Sequence, residues 1–310
     1  MIDDAEWTSL LTSIFEYNEC TPFLGAGACT PFLPSGQDLA EKWAAEVSYP
    51  FKHVELAEVA QFIAVNWGGK AAKFRMDRAL KESFQSNPIP EFESAVSIHG
   101  VLADLPLKLY LTTNYDHLME QALTSKQRKP VTDHCRWNRS LHLLHPQSKC
   151  PEPSTDQPLV YHFHGLMGVP ESMVLADDDY ETFLLEFGLD DNIVPPHVRI
   201  AISQYPLLFV GYSLKDWSFR VLFRAVIKEY EQNSRIPGIT VQLSPTEVND
   251  QEGATAYITK KYDKMGLKIF WGTASEFAAT LREKVDAYKR ARAPKNDGRT
   301  ETNAGKDLVK

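Results

Sequence analysis

The apolar positions of this chain fall into two alternating patterns. Short runs, mostly continuous rather than every second residue, occur at 21–24 (TPFL), 107–113 (LKLYLTT), 159–164 (LVYHFH), 173–176 (MVLA), 207–213 (LLFVGYS), 239–244 (ITVQLS) and 267–272 (LKIFWG). Continuous apolar character suits strands covered on both faces. Between them, residues 38–48, 115–124, 216–231 and 275–289 space their apolar residues as helices with one buried face do. Strands alternating with helices predict an α/β fold: a Rossmann-like, mostly parallel sheet of about six strands.

Two regions interrupt the alternation. Residues 54–104 hold three helix-like segments before the second strand and predict a helical insertion. Residues 125–158 are polar and rich in His, Pro and Ser, which predicts an irregular loop or a small subdomain. One domain is expected over residues 1–290. From 291 the chain is polar and nearly free of apolar residues, as a disordered tail would be.

Composition narrows the function classes. The 310 residues are 43% apolar and 24% charged, ordinary values for a soluble globular protein. The net charge of -8 disfavours general attraction to nucleic acid or anionic lipid, so neither strong nucleic-acid binding nor direct membrane binding is expected. The opening MIDDAEWTSL lacks the basic-then-apolar pattern of a secretory signal, and no apolar run has the length of a membrane helix. Four cysteines, at 20, 29, 135 and 150, are too few and scattered for a disulfide framework, which suits the cytoplasm.

The candidate chemistry sits just beyond the strands, where open parallel sheets collect ligands. The first strand is followed by Gly25-Ala26-Gly27-Ala28-Cys29, small residues whose bare amides suit a phosphate, or else a tight turn. The second leads into TTNYDHLME, with Asn114 and Asp116, both also good helix caps. The run at 159–164 ends in His164-Gly165, and an imidazole there suits proton transfer near neutral pH. His162, two residues before His164, is expected to point away from the crevice. The run at 207–213 ends in Gly211-Tyr212-Ser213, with Asp216 reading as a helix cap. Asp179 and Tyr180 read equally as a helix start or as neighbours of the site, and Cys29 as a small filler.

The order of these motifs, over about residues 20–272, resembles the sirtuin superfamily. The TTNYD and GYSLKD forms, with 174-VLADDDYETFL-184 and 34-PSGQDLAEKW-43, look like the sirtuin-like NAD-hydrolysing domains of bacterial antiphage systems rather than lysine deacylases. The resemblance implies NAD+ as substrate, cleaved to ADP-ribose and nicotinamide, with Asn114 and His164 as catalytic residues. It implies the NAD+ diphosphate on Gly25, Ala26, Gly27 and Ala28, and the nicotinamide amide read by Asp116. Gly211 would permit close approach, and Ser213 would meet a phosphate or the adenosine ribose. Cys29 stands where that pattern usually has Ser. Deacylating sirtuins carry two Cys-x-x-Cys pairs on a zinc module; here the interval holds His134, Cys135, His142, His145 and Cys150, so no zinc ribbon and no metal are expected. A deacylase and a non-catalytic NAD or ADP-ribose sensor remain alternatives. The resemblance also implies a separate defence partner such as a HerA-type ring ATPase. A homo-oligomer is expected because 56-LAEVAQFIAVNWGG-69 is apolar on more than one side.

Overall fold

The computed structural model describes residues 2–30, 32–88, 90–145, 152–189, 193–213, 237–246 and 248–293. Within them, seven strands form one sheet in the order β3-β4-β2-β1-β5-β6-β7, and every neighbouring pair is parallel. The strands are β1 Thr21–Leu24, β2 Leu109–Thr112, β3 Val131–His134, β4 Leu159–His162, β5 Leu207–Val210, β6 Gly238–Gln242 and β7 Leu267–Trp271. Six of the expected runs contain a strand.

Two expectations are corrected. The run 173–176 joins no ladder: its residues are buried, and the Val174 N–H donates to the His164 carbonyl at 2.9 Å. A short apolar tetrapeptide suits a buried extended segment as well as a strand. Conversely, β3 lies inside the stretch expected to be an irregular loop, followed by a short helix at Arg139–Leu144. Being an edge strand, β3 buries only its last two residues, so its apolar signal is faint. The expected helix at 216–231 and residues 294–310 of the expected tail lie outside the described residues.

Alternate residues of the strands feed two cores. Leu24, Tyr110, Val160, Leu208 and Val210 face one. Phe23, Leu109, Leu111, Tyr161, Leu207 and Phe209 face the other. The first is covered by α1 (Asp4–Thr12), α2 (Gly36–Glu46), α3 (Leu56–Trp67), α4 (Ala71–Ser86), α5 (Ile98–Ala103) and α6 (Leu118–Ser125). The second is covered by α7 (Arg139–Leu144), α8 (Asp177–Leu189), α9 (Pro196–Gln204) and α10 (Gln251–Asp263). The last helix, α11 (Ala274–Arg292), returns to the first face through Phe277, Leu281 and Val285. Burial on both faces explains why the strands read as continuous apolar runs.

The expected insertion contributes α3, α4 and α5. Val59, Ala60 and Ile63 of α3 are buried, whereas Val65 is 74% and Trp67 57% exposed. Among the described residues no helix is long and apolar enough to cross a membrane.

Candidate active site

The four strands that carry the sequence motifs are neighbours, β4-β2-β1-β5, at the centre of the sheet. From β1 the chain goes to one side to build β2, β3 and β4, then crosses to the other for β5, so the strand order reverses at β1. Open α/β sheets bind ligands beyond the carboxyl ends at such a reversal. Register aligns the motifs. Thr112 of β2 is opposite His162 of β4, so Asn114 and His164 each lie two residues past a paired position. Leu24 pairs with both Thr112 and Val210, which sets Gly25 and Gly211 side by side.

That neighbourhood explains the glycines. The Gly27 N–H donates to the Gly211 carbonyl at 2.9 Å. A Cβ on Gly25 would stand 2.8 Å from the Gly211 oxygen and the Tyr212 ring, and one on Gly27 would stand 3.0 Å from the Gly211 Cα. Gly211 itself has φ +84°. The glycines of the first turn therefore answer the close approach of β5's end. The amides of Gly25, Gly27, Ala28 and Cys29 already donate to Val210, Gly211, Gly25 and Ala26. Among the described residues this leaves the Ala26 amide as the turn's uncommitted donor, a narrower phosphate cradle than the sequence suggested.

Asn114 is tied into this turn. Its Nδ2 donates to the Gly25 carbonyl at 3.1 Å and to Cys29 Sγ at 3.0 Å, and its backbone N–H donates to Thr112 Oγ1 at 2.9 Å. The Cys29 thiol donates to Asp116 Oδ2 at 3.2 Å, while Asp116 Oδ1 accepts from the N–H of Leu118, the first residue of α6, at 2.9 Å. Cys29 is thus a link between Asn114 and Asp116 rather than a filler. Its thiol is pushed well above its ordinary pKa by burial and by the Asp116 carboxylate, so it stays protonated and acts as a donor.

His164 is 6% exposed and sits edge-on to the rings of Tyr180 (5.4 Å) and Phe183 (5.0 Å) from α8. Burial among these rings drops its pKa to about 3, which leaves the imidazole neutral. Tyr180 therefore borders His164, the site-neighbour reading of the pair Asp179 and Tyr180. Asp179 is the anchor of α8: its Oδ2 accepts from the Leu175 and Ala176 amides, and its Oδ1 pairs with Lys73 of α4 at 2.7 Å. Asp77, one turn along α4, accepts from the Gly168 N–H at 2.7 Å. The insertion thus fastens the segment between His164 and α8. Across the end of β1, the Tyr212 hydroxyl donates to the Leu24 carbonyl at 2.7 Å and lies 3.0 Å from Thr113 Oγ1. Ser213 is exposed, and Asp216 lies outside the described residues.

His162, expected to be a bystander, is fully buried and bonded to the site. Its Nδ1 donates to the Asn114 carbonyl at 2.8 Å, and its Nε2 lies 2.9 Å from Glu120 Oε1. Glu120 also meets His117 Nδ1 at 3.2 Å. Nothing in the sequence singled out Glu120, which reads as one more helical carboxylate; its place one turn after Asp116 was the available signal. The ligand atoms of His117, Glu120 and His162 lie within 4.8 Å of one another, the grouping among the described residues that could hold a metal ion. Of the residues weighed for zinc from sequence, His134 and His145 meet ring to ring at 5.7 Å, while the Cys135 thiol faces the Ile193 carbonyl, His145 pairs with Glu171, and Cys150 lies outside the described residues.

An all-parallel sheet whose strand order reverses at its centre defines an open α/β protein of the Rossmann-like class. Residues 108–269, over half of the chain, match the family model described as SIR2-like domain, and the chain belongs to that family. It is 25% identical to the NAD(+) hydrolase ThsA of Bacillus cereus (strain MSX-D12) over 247 residues, 78% of this chain and 47% of that protein. It is 27% identical to the NAD(+) hydrolase ThsA of Enterococcus faecium over 199 residues, 63% of this chain and 37% of the other. With the protein of the same name from Acinetobacter baumannii (strain 532279) it shares 29% over 140 residues, 44% and 26% of the two chains. The chain spans less than half the length of each of these relatives.

Proposed function

We propose that this chain hydrolyses NAD+ at the bond between nicotinamide and ribose C1′, releasing ADP-ribose and nicotinamide. The observation that supports the reading is the pairing of Thr112 with His162, so that Asn114 and His164 each follow a paired position by two residues, with the Gly25 turn bonded to Asn114. The names of the similar ThsA proteins support it. Breaking this bond builds positive charge on the ribose, as in glycoside hydrolysis. Nicotinamide leaves with the bonding electron pair and becomes neutral.

Asn114 spends its Nδ2 donors inside the protein, so its Oδ1 is the acceptor it offers to a ribose hydroxyl or to water. His164, neutral through burial, accepts a proton from that water or hydroxyl as the water oxygen bonds to C1′. The Ala26 amide meets the diphosphate, Gly25, Gly27, Ala28 and Gly211 give the turn its shape, Asp116 reads the nicotinamide amide and Ser213 the far end of NAD+. The wider role we assign is antiphage defence by NAD+ depletion in the bacterial cytoplasm, by a homo-oligomer with a ring ATPase of the HerA type as candidate partner.

Incubating the pure protein with NAD+ and following free nicotinamide tests the reading. Asn114→Ala and His164→Ala should each reduce release by at least about a hundredfold, the usual weight of a general base or a positioning group. Near wild-type turnover in a folded His164→Ala protein would refute the assigned base. Release that requires an acetylated peptide would mark a deacylase instead.

A further inference from the structure

We propose that His162, backed by Glu120, forms a buried strut that positions Asn114 by gripping its main-chain carbonyl. The proposal rests on the NAD+ hydrolase reading above. Asn114 is held on its side-chain end by the Gly25 carbonyl and Cys29. Its carbonyl is held by His162 Nδ1 at 2.8 Å. Behind His162 stands Glu120, whose Oε1 lies 2.9 Å from His162 Nε2 and 3.2 Å from His117 Nδ1, and accepts from Thr132 Oγ1 at 3.0 Å. Three elements, β3, β4 and α6, thus converge on one carboxylate whose chain of bonds ends at the residue assigned to the ribose.

Burying such a pair is costly, and an apolar pair of similar volume often serves stability as well. What an apolar pair lacks is a donor aimed at a carbonyl. Burial alone would lower the His162 pKa, but the Glu120 charge and hydrogen bond, with the Asn114 carbonyl, outweigh it and hold it above the ordinary value. Glu120 is pushed up by burial and pulled further down by His162 and His117, so it stays ionised. The other titratable groups around the strut are Asp116 in the preceding loop, His134 at the paired position of β3, and His99 of α5, which feels both Asp116 and Glu120. His162 is a positioning residue here: it is fully buried and touches Asn114 rather than the crevice.

The test compares the full chain with His162→Ala, His162→Asn and Glu120→Gln. His162→Ala should lower kcat for nicotinamide release by roughly ten- to a hundredfold with KM changed by less than about threefold, since a displaced catalytic group costs rate before binding. His162→Asn, whose amide can stand where Nδ1 stood, should recover much of that loss. Glu120→Gln keeps the shape and leaves the bond to the Asn114 carbonyl in place, so its kcat loss should be smaller than that of His162→Ala. Long-range 1H–15N NMR of histidine-labelled protein should find a proton on His162 Nδ1, as its bond to the Asn114 carbonyl requires, in the wild type and in Glu120→Gln. This last reading needs no turnover, so it judges the strut even if the wild type proves inactive, which would refute the hydrolase reading alone. Unchanged kcat in a folded His162→Ala, a rise in KM alone, or an unprotonated His162 Nδ1 in the wild type would overturn the proposal. So would one equivalent of zinc bound by the wild type and lost with His162, since the same three side chains would then be a metal site. Should His162→Ala fail to fold, the NMR signature still decides.

Discussion

Replacing Gly211 by alanine tests whether the turn after β1 is shaped by contact with the end of β5. Two costs add. Gly211 has φ +84°, a backbone region that costs an L-residue roughly 1–2 kcal/mol. The new Cβ would also stand 2.3 Å from the Ala28 nitrogen, 2.6 Å from the Gly25 oxygen and 2.9 Å from the Gly27 carbonyl carbon. All three are backbone atoms, so no side chain can swing aside, and forced overpacking adds roughly 1–3 kcal/mol. The sum is roughly 2–5 kcal/mol. Gly168→Ala separates the two costs, because Gly168 has φ +90° with nothing within 4 Å of its would-be Cβ. It should pay the backbone cost alone. Urea unfolding of both variants gives the difference directly, expected at roughly 1–3 kcal/mol in favour of Gly168→Ala. NAD+ hydrolysis should fall only in Gly211→Ala, since the displaced Gly25 carbonyl is what Asn114 holds. Equal costs at the two positions would refute the contact argument.

Acid should loosen the fold through buried histidines. Burial drops His164 from 6.5 to about 3 and His134 to about 4, so the folded state binds fewer protons than the unfolded chain between these values and 6.5. The stability they contribute is fully present above 6.5 and is lost as pH falls towards 3, at up to about 1.4 kcal/mol per pH unit and proton, while raised His162 opposes the trend. Thermal unfolding from about pH 6.5 to about pH 4.5 should show a slope that His164→Asn flattens by about one proton; identical slopes would refute it. In solution, the exposed Val65 and Trp67 of α3 are expected to be covered by another copy, and light scattering should give a mass of at least twice 35.1 kDa. A monomer mass at micromolar concentration would overturn that expectation.

Most of the sheet was legible because its central strands are apolar on both faces. Where the rule reached its limit, the reasons are physical. Val131–His134 is a strand with only half its residues buried, so it looks like loop; Met173–Ala176 is wholly buried yet makes no ladder, so it looks like strand. Strand ends also single out Asn114, Asp116 and His164, because open parallel sheets collect ligands there. The bonds between them were not readable. Cys29 joins Asn114 to Asp116 across 85 and 87 positions, and His162 reaches Glu120 across 42. Such contacts depend on which strands become neighbours, which periodicity does not state. The glycines were read as making room for a ligand, and the space goes first to one another.

The route of the chain around β1 also has a consequence in time. Leu24 receives the Tyr212 hydroxyl from 188 positions further on, and β1 pairs with β5 over the same span. Closing so long a loop comes late, because its entropy must be lost before the contact repays any of it. A nascent chain emerges from the ribosome with β1 unpaired on that side and the Gly25 turn without its Gly211 acceptor. A prematurely ended product that stops before Leu207 has no such partner at all. The synthesis order thus withholds the arrangement at the strand ends until Gly211 has been made.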